Sequence, residues 1–586
     1  MSSDNSGTPR HTRPWSRRSV IRAAGLGLPA IAAASLVGCG DDDADSGSAT
    51  PGTTPAAGAS PTQVTSTSGI SSAKPGDRIV LSETTYFTTT GQKAGGTFRH
   101  NSQYAGFTAE PNQAYQGDYI MNRLAYNGLY SVQWPSYATI MYLAKSIEEP
   151  DPLSWTVKLR DNVKFHNKPP VNGRALTAED VVYSFERLRA DKTSTFNNTY
   201  AFLDTVVAVD TTTLKFTSKF PYSSKFDVLP LSIVPKGAIE VLGDFNKRGI
   251  GTGPYMYDSD YDPTGVTNFV RNPDFWLKGR PFPDKVEFRH FVDQAAQVSA
   301  FRSNQIDLLG RALQKPVAES LTSSDGVISK EPFLGIPYLG IPMDKAPYTD
   351  IRVRQAISLA IDRKELVSKL DFGDGAACGP CGWGLGVWAL PQKEIDDFYK
   401  VESYEANLAE AKKILEAVGV SSLPAMEIIA PSDLPIFASG APLIANMMRK
   451  AGFNVKENLK PLTTVVREHL ITRNFDLIFM QTGTQEDPWA HLSPHGTRGT
   501  VTGASGRYAA STPAVDAALN GMQAATKFED RVAKAHEAQR LILKTYGAQM
   551  HLWEANAYFV AKKGLKDYRV SGALSAYDQY DFWLSA

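Results

Sequence analysis

The sequence predicts an α/β protein of two or three lobes, on three observations. At 586 residues the chain is longer than one simple core accommodates. Strand-type and helix-type patterns alternate through its second half. Among them Phe475-Asp476-Leu477-Ile478-Phe479-Met480 is an apolar run interrupted once, the pattern of a buried strand in an α/β sheet.

The elements follow in chain order. Ser16-Arg17-Arg18-Ser19-Val20-Ile21-Arg22 and the apolar stretch Ala23 to Val37 read as an address, long enough for a signal peptide and too short to span a bilayer. Arg17 and Arg18 resemble a twin-arginine (Tat) export signal. Leu36-Val37-Gly38-Cys39 resembles a lipobox, which implies that Cys39 is lipidated. Residues 40–93 are rich in Asp, Ser, Thr, Gly, Pro and Ala, and are expected to form a disordered tether. Its stretch directly after Cys39, as a flexible coil of about 36 residues, spans roughly 30–36 Å.

Folded texture begins near Gly95-Gly96-Thr97-Phe98. Trp155 to Arg160 and Val163 to His166 both alternate, with Asp161-Asn162 between them, and predict a hairpin. Thr177 opens a helix whose first turn carries Glu179 and Asp180, as the helix dipole favours. Val353, Ala356, Ile357, Ala360 and Ile361 form an amphipathic stripe. Glu405 to Val418 is a helix stopped by Gly419. Then Met426 to Ala430 reads as a strand, Leu443 to Lys450 as a helix and Phe453 to Val455 as a strand. No repeat of 20 to 50 residues occurs.

Charge and composition narrow the function. Lys+Arg and Asp+Glu both number 61, so no basic field draws the chain to nucleic acid. Three cysteines exclude a disulfide-dense scaffold. No His-Glu-x-x-His, phosphate-binding loop or Gly-x-Ser-x-Gly elbow is present, and nothing calls for a cofactor.

Two stretches carry candidate chemistry. Cys378-Gly379-Pro380-Cys381 is the tetrapeptide of thiol–disulfide enzymes, yet Gly373, Gly375, Gly382, Gly384 and Gly386 flank it. Glycine costs a helix about 1 kcal/mol per residue, so the segment reads as a loop without the helix N-terminus that stabilises a reactive thiolate. A small structural disulfide is the first reading, with redox chemistry and metal binding as alternatives. The second stretch, Thr482-Gly483-Thr484-Gln485-Glu486-Asp487-Pro488-Trp489-Ala490-His491, follows the buried strand, where α/β sheets place ligands. Glu486 and Asp487 can receive an ammonium group and Trp489 can offer a flat face. A solvated Pro turn is the plain alternative, and His491 and His495 with Asp487 are weak metal candidates.

Several stretches in a fixed order resemble the family 5 extracellular solute-binding proteins, receptors of ABC importers. They are Gly95-Gly96-Thr97-Phe98, Asn127-Gly128-Leu129, the run from Asp151 to Leu188, Gly251 to Tyr255, Arg271 to Trp276, and Arg352 to Arg363. The resemblance covers nearly all of residues 94–586. It implies a two-lobed periplasmic-binding-protein fold, type II-like of cluster C, with an inserted subdomain. Lobe I would comprise 94–126, 250–335 and 556–586, the insert 127–249, and lobe II 336–555. It further implies a non-enzymatic monomer that captures a peptide-like solute and delivers it to a membrane permease from outside the cytoplasmic membrane. The candidate contacts are Tyr104, Trp383, Thr482, Gly483, Thr484, Glu486, Asp487 and Trp489. The family's dipeptide receptors carry an Asp directly after the loop glycine, where Thr484 stands here, which sets a standard dipeptide in doubt. A nickel-type metal-chelate receptor is the alternative within the family. An exported thiol oxidoreductase using Cys378 and Cys381 is the alternative outside it.

Overall fold

A computed structural model of the chain describes residues 78–80 and 91–585, apart from 103–108, 113–115, 134–137, 192–199, 201, 227–231, 292, 323–325, 420–422, 484–485, 498–499, 502–510 and 569–580. Residues 1–62 form one unit and residues 63–586 another, and the fold below belongs to the second. The signal motif at Arg17 and Arg18 and the lipobox Cys39 lie outside the described residues, as do Tyr104 and Thr484.

Two mixed sheets organise this unit. The larger has eight strands, in the order Gly326–Pro332, Trp553–Lys562, Leu308–Leu313, Thr97–Ser102, Lys285–His290, Val266–Arg271 and Tyr255–Tyr257, with Gly375–Ala377 pairing off this path against Trp553–Lys562. Thr97–Ser102 runs parallel to both neighbours, while the flanking pairs are antiparallel. The second sheet has five strands, in the order Val455–Lys460, Met426–Pro431, Leu477–Gln481, Pro337–Gly340 and Gln549–His551. Its first three are mutually parallel and separated by helices, the α/β pattern read from the sequence. A four-stranded antiparallel sheet spans Ala144–Asp151, Ser154–Leu159, Thr213–Ser218 and Leu203–Ala208. Arg78–Val80, in the stretch expected to be tether, is instead a strand lying parallel to Ala138–Met141.

The helices start and stop where local chemistry directs. Ala178–Ala190 opens on Thr177, and Gly419 and Gly452 close Tyr404–Val418 and Pro435–Ala451 in the left-handed conformation, at φ 77° and 113°. The last helix is longer than its periodic core, because Pro442 is accommodated inside it. The expected hairpin of Trp155–Arg160 with Val163–His166 does not form. Ser154–Leu159 pairs with Ala144–Asp151 and Thr213–Ser218. The backbone of Phe165 and His166 bonds to Arg174 and Gly251 instead.

Four of the ordered family-like stretches converge in one buried knot. His166 is fully buried. Its Nδ1 accepts from the Gly251 N–H at 3.3 Å, which leaves Nε2 to donate to the Gly253 carbonyl at 3.1 Å. Asn272 donates to the same carbonyl, and Asn127 accepts from both Thr252 and the Trp276 indole. Gly253 has no room for a Cβ, since the Leu124 carbonyl and the Ala125 backbone occupy that space. Burial lowers the His166 pKa to about 4 and keeps the ring neutral, as a bridge between an N–H and a carbonyl requires.

The chain passes between the two large sheets four times, because Gly375–Ala377 interrupts the run through the second sheet, and two of these passages lie side by side. Outbound, Phe333–Ile336 links the Gly326–Pro332 strand to Pro337–Gly340. On the return, Leu552 alone separates Gln549–His551 from Trp553–Lys562. The Phe333 N–H donates to the Ala555 carbonyl at 2.9 Å and the Leu552 N–H to the Pro337 carbonyl at 3.0 Å. Leu334, Ile336 and Leu552 are buried.

Candidate functional site

The Leu477–Gln481 strand ends against these crossings. Thr482 is buried there, and its hydroxyl accepts from the Ile336 N–H at 3.0 Å and donates to the Leu334 carbonyl at 3.3 Å. Its own N–H donates to the Ile336 carbonyl at 2.9 Å. Thr482 therefore holds the outbound crossing rather than offering its hydroxyl to a guest. Thr482→Val is expected to leave a buried N–H and a buried carbonyl unpaired and to cost about 2 kcal/mol, read as a lower urea midpoint at unchanged slope. Gly483 follows, half-buried.

The acids expected to face a ligand are turned inward. Asp487 caps the helix Pro488–Leu492, accepting from the Trp489 N–H at 3.0 Å, and ion-pairs with Arg531 at 3.2 Å with both side chains buried. An Asp in that pairing is already spent on a cation and is not the ammonium receiver expected. Glu486 is buried beside it. Trp489 is buried in the main core, in one cluster with Trp388 and Leu492, so it offers no open flat face. Proline at the first helical position and the Asp cap turn the chain so that this ring points inside.

His491 and His495 are buried too, and the irregular backbone expected at 494–496 begins as a short 3₁₀ turn, Ser493–His495. The His495 ring lies 5.4 Å from that of His551, and burial lowers its pKa to about 3. Among the described residues no group of three His, Cys, Asp or Glu is placed to hold a metal ion.

The cysteine segment differs from both expected forms. Gly375–Ala377 is a strand on Trp553–Lys562, and Trp383–Trp388 forms a 3₁₀ helix where a loop was expected. Cys378 and Cys381 between them are buried free thiols, so the expected disulfide is not formed. Burial pushes both thiols well above their usual pKa, with Glu554 adding to it in each case. A thiol held protonated is a poor nucleophile, which disfavours redox catalysis by this pair. Gln539 fixes the segment: its carbonyl accepts from the Cys381 N–H at 3.1 Å and its amide donates to the Trp388 carbonyl at 2.7 Å. Gln539 and Arg531 both sit on the Phe528–Lys544 helix, which thus holds both candidate stretches, the Arg531 guanidinium lying 4.9 Å from the Trp388 ring centroid.

Trp383 is half-buried at the start of its 3₁₀ helix, and of the described candidates it is the aromatic left partly open. Behind it stands Glu554, fully buried on the returning strand. Its two carboxyl oxygens receive the Gly384 N–H at 3.1 and 3.2 Å. Burial raises the Glu554 pKa to about 8. Sequence reasoning missed Glu554, Gln539 and Arg531. One signal was legible for the first: Glu554 is a lone acid in the apolar strand Met550-His551-Leu552-Trp553-Glu554-Ala555.

Residues 139–501 match the bacterial extracellular solute-binding proteins, family 5 Middle. A Brucella ovis protein named as an ABC transporter peptide-binding protein is 26% identical over 447 residues, covering 73% of this chain and 81% of that protein. The periplasmic binding protein DppA of Helicobacter pylori, solved with the peptide STSA, superposes with a TM-score of 0.71 at 20% identity, covering 84% of this chain and 99% of that one. NikZ of Campylobacter jejuni, solved with Ni(L-His), superposes with a TM-score of 0.67 at 20% identity, covering 82% and 97%. The fold is the two-lobed α/β fold of periplasmic binding proteins.

Proposed function

Because the chain belongs to the family 5 bacterial extracellular solute-binding proteins, we propose that it is the receptor of an ABC importer, capturing a peptide-like solute between its lobes for delivery to a membrane permease. The eight-stranded and five-stranded sheets are the cores of lobes I and II. The observation that carries the reading is the pair of adjacent crossings at Phe333–Ile336 and Leu552, cross-bonded to each other and to Thr482. Two connections side by side let the lobes turn about one line. Closure is driven by solute because the closed form contacts it from both lobes and the open form from one.

Trp383 and Gly483 are the solute contacts in this reading, and Thr482 holds the start of the Gly483 loop against the outbound crossing. The protein is non-enzymatic. Peptide relatives and the peptide-bound DppA neighbour support a peptide-like guest. With Asp487 committed to Arg531, the binding of a dipeptide's ammonium group by that carboxylate is disfavoured. Cys39 carries the lipid after twin-arginine export, and the segment behind it holds the body near the outer face of the membrane. No helix among the described residues is long and apolar enough to cross a membrane.

Native mass spectrometry of the full chain purified from membranes, with metal analysis of the same sample, tests the reading. A peptide-like mass released on denaturation is the expected result. A stoichiometric nickel chelate would replace the peptide by the family's other solute class, and turnover of a substrate without any retained solute would overturn the receptor.

A further inference from the structure

Glu554 holds backbone rather than solute, and its position gives that a purpose. It lies on the strand that returns from one lobe to the other, immediately after the Leu552 crossing. The Gly384 N–H reaches both of its oxygens, and the Trp383 N–H is directed at it as well. Gly382 has φ −74°, a conformation any residue adopts, so its backbone does not call for glycine. A Cβ there would instead overlap the Glu554 carboxyl group, whose atoms are its three nearest neighbours. At Gly384 a Cβ would stand 2.6 Å from the same carboxyl, and would also crowd Leu334 and Pro332. The Gly-Trp-Gly sequence is thus the imprint of a buried carboxyl group pressed against the main chain on both sides of one indole.

We propose that Glu554 is a positioning residue for solute capture: from the hinge strand it anchors the backbone on either side of Trp383 and sets where that indole stands. The anchor couples the indole to the hinge, since the strand that reorients on closure is the strand that grips the Trp383 turn. Among the described residues, the Cys378 and Cys381 thiols both interact with this carboxyl group, and burial keeps both protonated. The solute half of this proposal rests on the reading of Trp383 as a solute contact.

Amide hydrogen exchange on the solute-free full chain tests the anchor. Glu554→Ala is expected to speed exchange at Trp383 and Gly384 by about tenfold or more. Glu554→Gln keeps a carbonyl acceptor and is expected to restore protection to within about twofold of the parent. Gly382→Ala, made in the parent, is expected to deprotect the same two amides, and to do no further harm in the Glu554→Ala background, because the overlap is gone. Unchanged exchange in Glu554→Ala, no rescue by Gln, or an equal effect of Gly382→Ala in both backgrounds would overturn the anchor. If Glu554→Ala does not fold, Gly382→Ala decides alone: protected amides there contradict the proposal. Trp383→Ala separates the two halves. It is expected to keep the Gly384 amide protected while losing capture of a tryptic-peptide mixture, and retained capture would overturn the solute role of Trp383 without touching the anchor.

Discussion

Replacing Glu554 by Gln is expected to stabilise the protein in alkali and to leave it unchanged in acid. The carboxyl group is fully buried, and burial raises its pKa to about 8 from 4.5. Between these values the unfolded chain has released the proton and the folded chain has kept it. The unfolded state then binds fewer protons, so stability falls as pH rises, by about 1.4 kcal/mol per unit. Below pH 4.5 both states are protonated and the group contributes nothing. Above 8 the loss is complete, about 5 kcal/mol. Gln has no proton to lose, so the difference between variant and parent should grow steadily from about pH 4.5 to 8. Urea unfolding at four pH values reads this directly. A difference independent of pH would mean that Glu554 is ionised in the folded protein.

Asp180→Ala is expected to cost about 3 kcal/mol through several lost acceptor bonds at once. The carboxylate is buried and accepts from the Thr177 N–H and hydroxyl, both at 2.9 Å, from the Lys236 N–H at 2.8 Å, and from Arg174 at 2.9 and 2.5 Å. It therefore caps its own helix and ties that helix to two loops. Arg174 is partly exposed, so its ion pair contributes little of the total. Asp180→Asn, which keeps an acceptor, is expected to lose less than Ala. Equal losses for Asn and Ala would assign the effect to charge rather than to the bonds.

What was legible in the sequence was whatever local chemistry decides. The Thr177 start, the Gly419 and Gly452 stops and the stripe from Val353 onward need only their neighbours in the chain, and each stands where periodicity and capping put it. The buried strand at Leu477–Gln481 is likewise continuous and apolar. The misreadings share a cause. Asp487 looked like a ligand group because Arg531, which occupies it, is 44 residues away. The Val163–His166 stretch alternates as a strand does, but its hydrogen bonds go to Arg174 and Gly251. The glycines around Cys378 and Cys381 read as the mark of a loop, and two of them, Gly382 and Gly384, make room for the carboxyl group of Glu554, far along the chain.

The same contrast explains how family resemblance and site differ in visibility. Asn127, His166, Gly251 to Gly253, Asn272 and Trp276 lie far apart in sequence, yet they form one buried hydrogen-bonded knot. They make the fold recognisable, whereas the residues proposed as solute contacts, Trp383 and Gly483, lie in short stretches elsewhere in the chain.

Small-angle X-ray scattering tests the central claim most directly, comparing the full chain stripped of its co-purifying solute with the same chain after that solute is returned. Two lobes turning about the paired crossings at Phe333–Ile336 and Leu552 predict a smaller radius of gyration in the loaded protein. Superimposable curves at saturating solute would contradict the account.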